Sequence, residues 1–150
     1  MKYILQLFIF TVLSSSLFAQ DFKAIDQTKT EIKNSIKTLT EINEYKDSLS
    51  FKNFYLKEDK LQLIQVKSTQ NNIVKIVEYY FKDEFLIYIE QQWLDLETGK
   101  VISLQKSYWK NRELIKWSTS EDGEIDKSSQ KYLAFEAEVL NYIDQIRGQY

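Results

Sequence analysis

The chain has no cysteine, no histidine and no proline, and only three glycines in 150 residues. Each absence removes a class of chemistry. Without His or Cys, neither a Ser-His-Asp nor a Cys-His nucleophilic system can be assembled. A conventional zinc site is excluded on the same ground, and haem and iron–sulfur groups lose their usual ligands. Gly99, Gly123 and Gly148 are isolated, so there is no glycine-rich loop to cradle a phosphate. No disulfide can brace the fold, so stability must come from the core. No proline, repeat or low-complexity stretch marks a linker. Carboxylate chemistry, Ser/Lys chemistry and binding without catalysis remain, with no cofactor and no metal expected.

The first residues read MKYILQLFIFTVLSSSLFAQ. Lys2 supplies a short positive region, Tyr3 to Leu13 an apolar run, and Ser14 to Ala19 a small-residue stretch. That order is a secretory signal peptide over 1–19, with cleavage near Ala19-Gln20. The apolar run is shorter than the roughly 20 residues of a spanning helix, and no second run could span a bilayer. The expectation is an exported chain, periplasmic or secreted, with one α+β domain over 20–150 and no membrane span in it. Net charge is −2 for the whole chain, and one unit more negative once Lys2 is removed. An acidic surface is poorly suited to nucleic acid, whose phosphates must be neutralised.

What the chain does have is a dense aromatic and β-branched centre. From Ile73 to Trp117 it reads IVKIVEYYF, FLIYIEQQWLDL, VISLQKSYW and ELIKW, separated by Lys82-Asp83-Glu84, Glu97-Thr98-Gly99-Lys100 and Asn111-Arg112. These are hairpin breaks between strands. Phe51 to Leu56 and Leu61 to Val66, around Glu58-Asp59-Lys60, add two more strands. Ser68 to Asn72 reads as a polar loop. The fold class is therefore α+β: an N-terminal helix, a six-stranded antiparallel meander in a curved sheet, and a C-terminal helix packed on it. As architecture alone, this order is similar to cystatin-like folds, and it carries no function with it.

A two-residue turn at Thr98-Gly99 sets Trp93 opposite Leu104, Ile89 opposite Tyr108 and Glu90 opposite Ser107. A turn at Asn111-Arg112 sets Tyr108 opposite Ile115 and Lys106 opposite Trp117. Alternation then yields two faces. The core face holds Val77, Tyr79, Phe81, Phe85, Ile87, Ile89, Trp93, Ile102, Leu104, Tyr108, Ile115 and Trp117. The other holds Glu78, Tyr80, Tyr88, Glu90, Gln92, Ser103, Gln105, Ser107, Trp109 and Lys116. A slip of one residue would flip a strand.

The flanking segments have a helical period. Phe22, Ile25, Ile32, Ile36, Leu39 and Ile42 recur over Asp21 to Tyr45, with Lys29 inside the stripe and Asp21 as a cap. Tyr132, Phe135, Val139, Tyr142, Ile143 and Ile146 recur from Ser129 to Arg147, with Ser128 or Ser129 as cap and Gly148 as stop. Between strand and helix, STSEDGEIDKSSQ is a solvated loop. It fails the calcium-loop pattern, with Ser118 first and Ser129 twelfth where acids are needed.

The polar face offers the candidate site: Glu78, Tyr80, Tyr88, Glu90, Gln92, Gln105 and Trp109. Trp and Tyr give contact area, while Gln and Glu give orienting hydrogen bonds. This favours a small exported non-catalytic binding protein, whose partner is a protein, a peptide or a small molecule. One alternative is a carboxylate-dependent hydrolase acting on glycans, with Glu78 and Glu90 diagonal on adjacent strands. Another is a structural subunit of an envelope assembly, pairing through an exposed edge such as Phe51 to Leu56. A further account makes Tyr80, Tyr88 and Trp109 ordinary core under a helix. Lys106 falls inward between Gln91 and Trp117, as a buried base or a lysine reaching the rim.

Overall fold

The computed structural model describes residues 20–47, with backbone alone for 45–47, and residues 49–147. The expected signal peptide over 1–19 and Gly148 lie outside the described residues. Helix α1 spans 20–35 and a short 3-10 turn follows at Ile36–Thr38. Eight strands come next: β1 (Thr40–Asp47), β2 (Ser50–Lys57), β3 (Lys60–Gln70), β4 (Ile73–Lys82), β5 (Phe85–Asp95), β6 (Val101–Lys110), β7 (Glu113–Thr119) and β8 (Gly123–Glu124). Helix α2 spans Gln130–Arg147. All strands pair antiparallel in chain order, as one open meander.

The sheet has eight strands rather than six because two segments extend it. The first helix stops at 35, not near Tyr45. Ser35 and Thr38 turn their hydroxyls back onto the carbonyls of Ile32 (3.1 Å) and Ser35 (2.8 Å), a competition that ends helices. Leu39 is already extended, with ψ 151°. The alternating TEINEY of residues 40–45 then has the strand period, and it forms the edge strand β1 beside β2. Phe51 to Leu56 is therefore an interior strand, not the edge. The second addition is the two-residue β8, which pairs with β7 inside the segment expected to be loop. Asp21 is helical rather than capping, and its carboxylate takes the Lys110 ammonium at 2.7 Å.

Among the described residues, four turns have two residues each: Glu58-Asp59, Asn71-Asn72, Asp83-Glu84 and Asn111-Arg112. All eight residues have positive φ between 50° and 68°, the mirror-image turn whose twist matches that of paired strands. Three of these hairpins share a bulge. The third residue after the turn, Gln62, Ile87 or Ile115, is an extra one opposite Tyr55, Tyr80 or Tyr108. Bulges at one end of the sheet deepen its twist there.

These bulges move the register. Tyr108 faces Lys116 rather than Ile115, and Lys106 faces Ser118 rather than Trp117. The β5–β6 connection is longer than two residues. Asp95 Oδ1 accepts the Thr98 N–H at 2.7 Å and hydroxyl at 2.8 Å, and Gly99 N–H closes onto Asp95 O at 2.9 Å. Leu104 consequently faces Gln92, Lys106 faces Glu90, and Tyr108 faces Tyr88.

Each helix covers one face. α2 lies over Phe54, Ile64, Val77, Phe81, Leu86, Ile89, Trp109, Leu114 and Trp117. Ser129 caps it, accepting the Tyr132 N–H at 3.2 Å. α1 lies over Tyr55, Leu63, Tyr80, Tyr88 and Ile115 through Ile25 and Ile32, with Ile87 and Tyr108 beside them. Val77, Tyr79, Phe81, Ile89 and Trp117 thus take the expected core face. Ile87, Leu104, Tyr108 and Ile115 turn to the other face, and Phe85 and Ile102 are about half exposed.

Candidate functional site

On the α1 face, successive rows of cross-strand neighbours can be followed across the sheet. One row is Tyr55, Leu63, Tyr80, Tyr88, Tyr108 and Lys116. The next is Asn53, Gln65, Glu78, Glu90, Lys106 and Ser118. Glu78 and Glu90 are direct partners rather than diagonal ones, because the Ile87 bulge moves β5 by one residue.

Both carboxylates are occupied on both oxygens. Glu78 Oε1 accepts from Gln65 Nε2 at 3.0 Å, and its Oε2 from Tyr80 OH at 2.7 Å and Lys33 Nζ at 3.4 Å. Glu90 Oε2 accepts from Tyr88 OH at 3.1 Å, and its Oε1 from Gln92 Nε2 at 2.6 Å. α1 closes the network from above. Lys29 Nζ sits 4.5 Å from the centre of the Tyr88 ring, and Tyr108 OH donates to Asp26 at 3.2 Å. Desolvation, then the carboxylate beside each hydroxyl, drives the Tyr80 and Tyr88 phenols far above their ordinary range. Burial and Asp26 push Tyr108 up to about 12. These hydroxyls are fixed donors.

The arrangement suits structure better than carboxylate catalysis. A glycosidase pair needs one acid to protonate the leaving group and one carboxylate to act on the sugar or on water. Here every carboxylate oxygen already accepts a hydrogen bond from the protein, and a helix lies over the adjoining tyrosines. Four clefts, of about 380, 620, 330 and 240 Å³, open elsewhere and have neither glutamate in their walls.

Of the seven candidate residues, five share this face: Glu78, Tyr80, Tyr88, Glu90 and Gln92. Gln105 and Trp109 lie on the α2 face, because the β5–β6 register differs by one residue from a Thr98-Gly99 turn. Tyr80, Tyr88 and Trp109 are 1%, 0% and 0% exposed, so they are core and present no open platform. Trp109 donates its indole N–H to Ser107 Oγ at 2.9 Å. Lys106 is half-buried beside Glu90, not between Gln91 and Trp117.

Sequence reasoning missed Gln65, Lys33 and Asp26. Gln65 was within reach: a two-residue turn at Asn71-Asn72 sets it opposite Glu78, where a loop from Ser68 hides the pairing. Lys29 and Lys33 are one helical turn apart, a spacing that places them together on a helix flank. Among the described residues, no group of three or more Asp or Glu is arranged to hold a metal ion, and no helix is long and apolar enough to cross a membrane. Comparison with family models, curated proteins and solved structures finds no match to this chain.

Proposed function

We propose that this chain is a small exported binding protein without catalytic activity, led out by residues 1–19. Its contact surface is the part of the α1 face that the helix leaves uncovered. The supporting observation is the row beyond the acidic pair. Phe51, Lys67, Ile76, Gln92 and Leu104 are successive cross-strand neighbours. Each is half-buried, and none belongs to the cluster under α1. Ile76 and Leu104 give an apolar centre, while Gln92 and Lys67 give a polar margin, which suits a protein or peptide partner. Glu90 and Lys106 border this strip, so the acidic pair shapes its edge without acting as a catalyst.

Photo-crosslinking in the exporting cell tests this. A benzophenone side chain at position 104 or 92 is expected to capture a discrete partner, and one at position 57 to capture none. Equal, diffuse labelling at all three positions would sink the assignment. The hydrolase alternative has its own check: glycan turnover abolished by Glu78→Gln or Glu90→Gln would restore it and overturn the binding reading.

A further inference from the structure

The opposite face carries polar side chains of a different kind. On the α1 face Glu78 and Glu90 are satisfied by the phenols and amides beside them. Along the flank of α2 the polar side chains are open to solvent. There the helix and the sheet enclose a groove of about 240 Å³, walled by Tyr79 and Gln91 from the sheet and by Glu138, Asn141, Tyr142 and Gln145 from the helix. Among the described residues, the side chains of Gln91, Glu138, Asn141 and Gln145 form no hydrogen bond or ion pair with the protein. Gln91 is half-buried at the floor, and its unpaired amide atoms stay open to the groove. Tyr79 and Tyr142 pack ring to ring, 5.2 Å between centres, as an aromatic wall. Gln105, paired with Gln91 on the neighbouring strand, extends the amide lining.

The chemistry of the lining selects the ligand class. Three amides offer both donors and acceptors, which suits hydroxyl groups that also do both. Glu138 adds acceptors only. The one cation in the wall, Lys75, is engaged over the Trp93 ring at 5.0 Å, and Glu138 balances its sign. Such a groove attracts neither phosphate nor a metal ion. At about 240 Å³ it falls below the roughly 300–1,000 Å³ of pockets that hold drug-sized ligands.

We propose that this groove binds one residue of a neutral glycan. The ring's apolar edge rests on the Tyr79–Tyr142 wall, and its hydroxyls pair with Gln91, Asn141, Gln145 and Glu138. The groove is on the far side of the sheet from the proposed contact strip, so either assignment can fail without the other.

The test is titration of the ¹⁵N-labelled full domain with four neutral oligosaccharides: chitotetraose, xylohexaose, mannohexaose and laminarihexaose. The expected result is saturable shifts from one of them, confined to amides of 75–79, 91 and 135–145. Asn141→Ala, on the exposed side of α2, and Gln91→Ala are each expected to weaken that sugar about tenfold, the scale of one lost hydrogen bond to a bound group. Leu133→Ala, exposed elsewhere on α2, leaves affinity unchanged. No saturable shift from any of the four overturns the proposal, as do shifts that map to the α1 face. If Gln91→Ala disturbs the fold, Asn141→Ala and Gln145→Ala carry the test alone.

Discussion

Glu78 and Glu90 stand directly opposite each other across the β4–β5 ladder, and each accepts the hydroxyl of the tyrosine two residues nearer the turn, Tyr80 at 2.7 Å and Tyr88 at 3.1 Å. Like charges in direct opposition cost stability in a sheet. Lys33 offsets the repulsion at Glu78, and Lys106 is the neighbour of Glu90 on the other side. Replacing one carboxylate by its amide removes the charge and keeps one accepting oxygen, while the neighbouring hydroxyl or amide turns to accept from the new N–H. Glu90→Gln is expected to raise unfolding free energy by about 0.5 kcal/mol at low salt, and by nothing at high salt. Tyr80→Phe removes the donor from a buried carboxylate and is expected to cost about 1–3 kcal/mol at either salt concentration. Urea denaturation in both conditions measures this. A Glu90→Gln variant as destabilised as Tyr80→Phe would contradict the repulsion.

The buried phenols make alkaline pH the fold's vulnerable side. Burial, then neighbouring charge, raises Tyr79, Tyr80 and Tyr88 above their ordinary value, and raises Tyr108 to about 12. A group raised in the folded state contributes stability that is complete below its unfolded pKa, near 10 for tyrosine. That contribution drains away as pH climbs through the folded value, because the unfolded chain releases the proton first. Stability is therefore expected to be level up to about pH 10 and to fall steeply towards pH 12. Near-ultraviolet phenolate absorbance, followed alongside circular dichroism, reads it. A fraction of the ten tyrosines should ionise only together with loss of structure. All ten ionising near pH 10 with the fold intact would rule the mechanism out.

The fold class was legible because it rests on periodicity, which backbone geometry enforces. Strand segments from Phe51 to Trp117 and the α2 stripe follow directly from it. What was hidden lies at places where one residue changes the count. Ile87 and Ile115 are extra residues at bulges, indistinguishable in sequence from ordinary strand apolars. Asp95 captures Thr98 through its side chain, lengthening a turn that the Thr-Gly pair suggests is short. Those single residues decide that Glu78 meets Glu90 squarely and that Gln105 and Trp109 leave the α1 face. The end of α1 was missed for a different reason. Ile36 and Leu39 do pack with its cluster, so the apolar spacing continues past the point where Ser35 and Thr38 have ended the helix. Only five of the seven candidate residues share a face, and three of those, Glu78, Tyr80 and Tyr88, are buried, because covering by α1 depends on which face a second helix chooses.

Turn chemistry leaves room for stabilisation. Glu84 has φ of 68° in the Asp83-Glu84 turn, a conformation costing a non-glycine residue about 1–2 kcal/mol. Glycine avoids that strain but loses more chain entropy, about 0.5–1 kcal/mol. Glu84→Gly, which makes the favoured Asp-Gly pair, should therefore gain about 0.5–1 kcal/mol. The Glu84 carbonyl that accepts from Arg147 is kept. Gly99→Ala is the converse control. A Cβ there meets nothing within 4 Å, but φ is +68°, so the change should cost stability through strain alone. Urea midpoints moving in opposite directions for the two variants bear this out, while a Glu84→Gly variant less stable than the parent refutes it.

The two helices hold the sheet by different physics, and this sets which leaves first. α2 buries Tyr132, Val139, Ile143 and Ile146. α1 buries only Ile25 and Ile32, with the half-buried Phe22 ring edge-on to Tyr108 at 5.1 Å, and the rest of its hold is polar: Lys33 on Glu78, Asp26 on Tyr108, Lys29 over Tyr88 and Asp21 on Lys110. At about 1.5–3 kcal/mol per buried large apolar side chain, the difference of two anchors is several times thermal energy. Exposed ion pairs add little and weaken with salt. Local opening of α1 is therefore expected well below the free energy of global unfolding. Native-state hydrogen exchange should find amides of 24–35 exchanging faster than those of 134–147, with the gap widening at high salt. Ile25→Ala should widen it further without changing protection in α2. Equal protection of both helices at every salt concentration would mean that α1 unfolds only with the whole domain, and that the tyrosines beneath it are never uncovered short of unfolding.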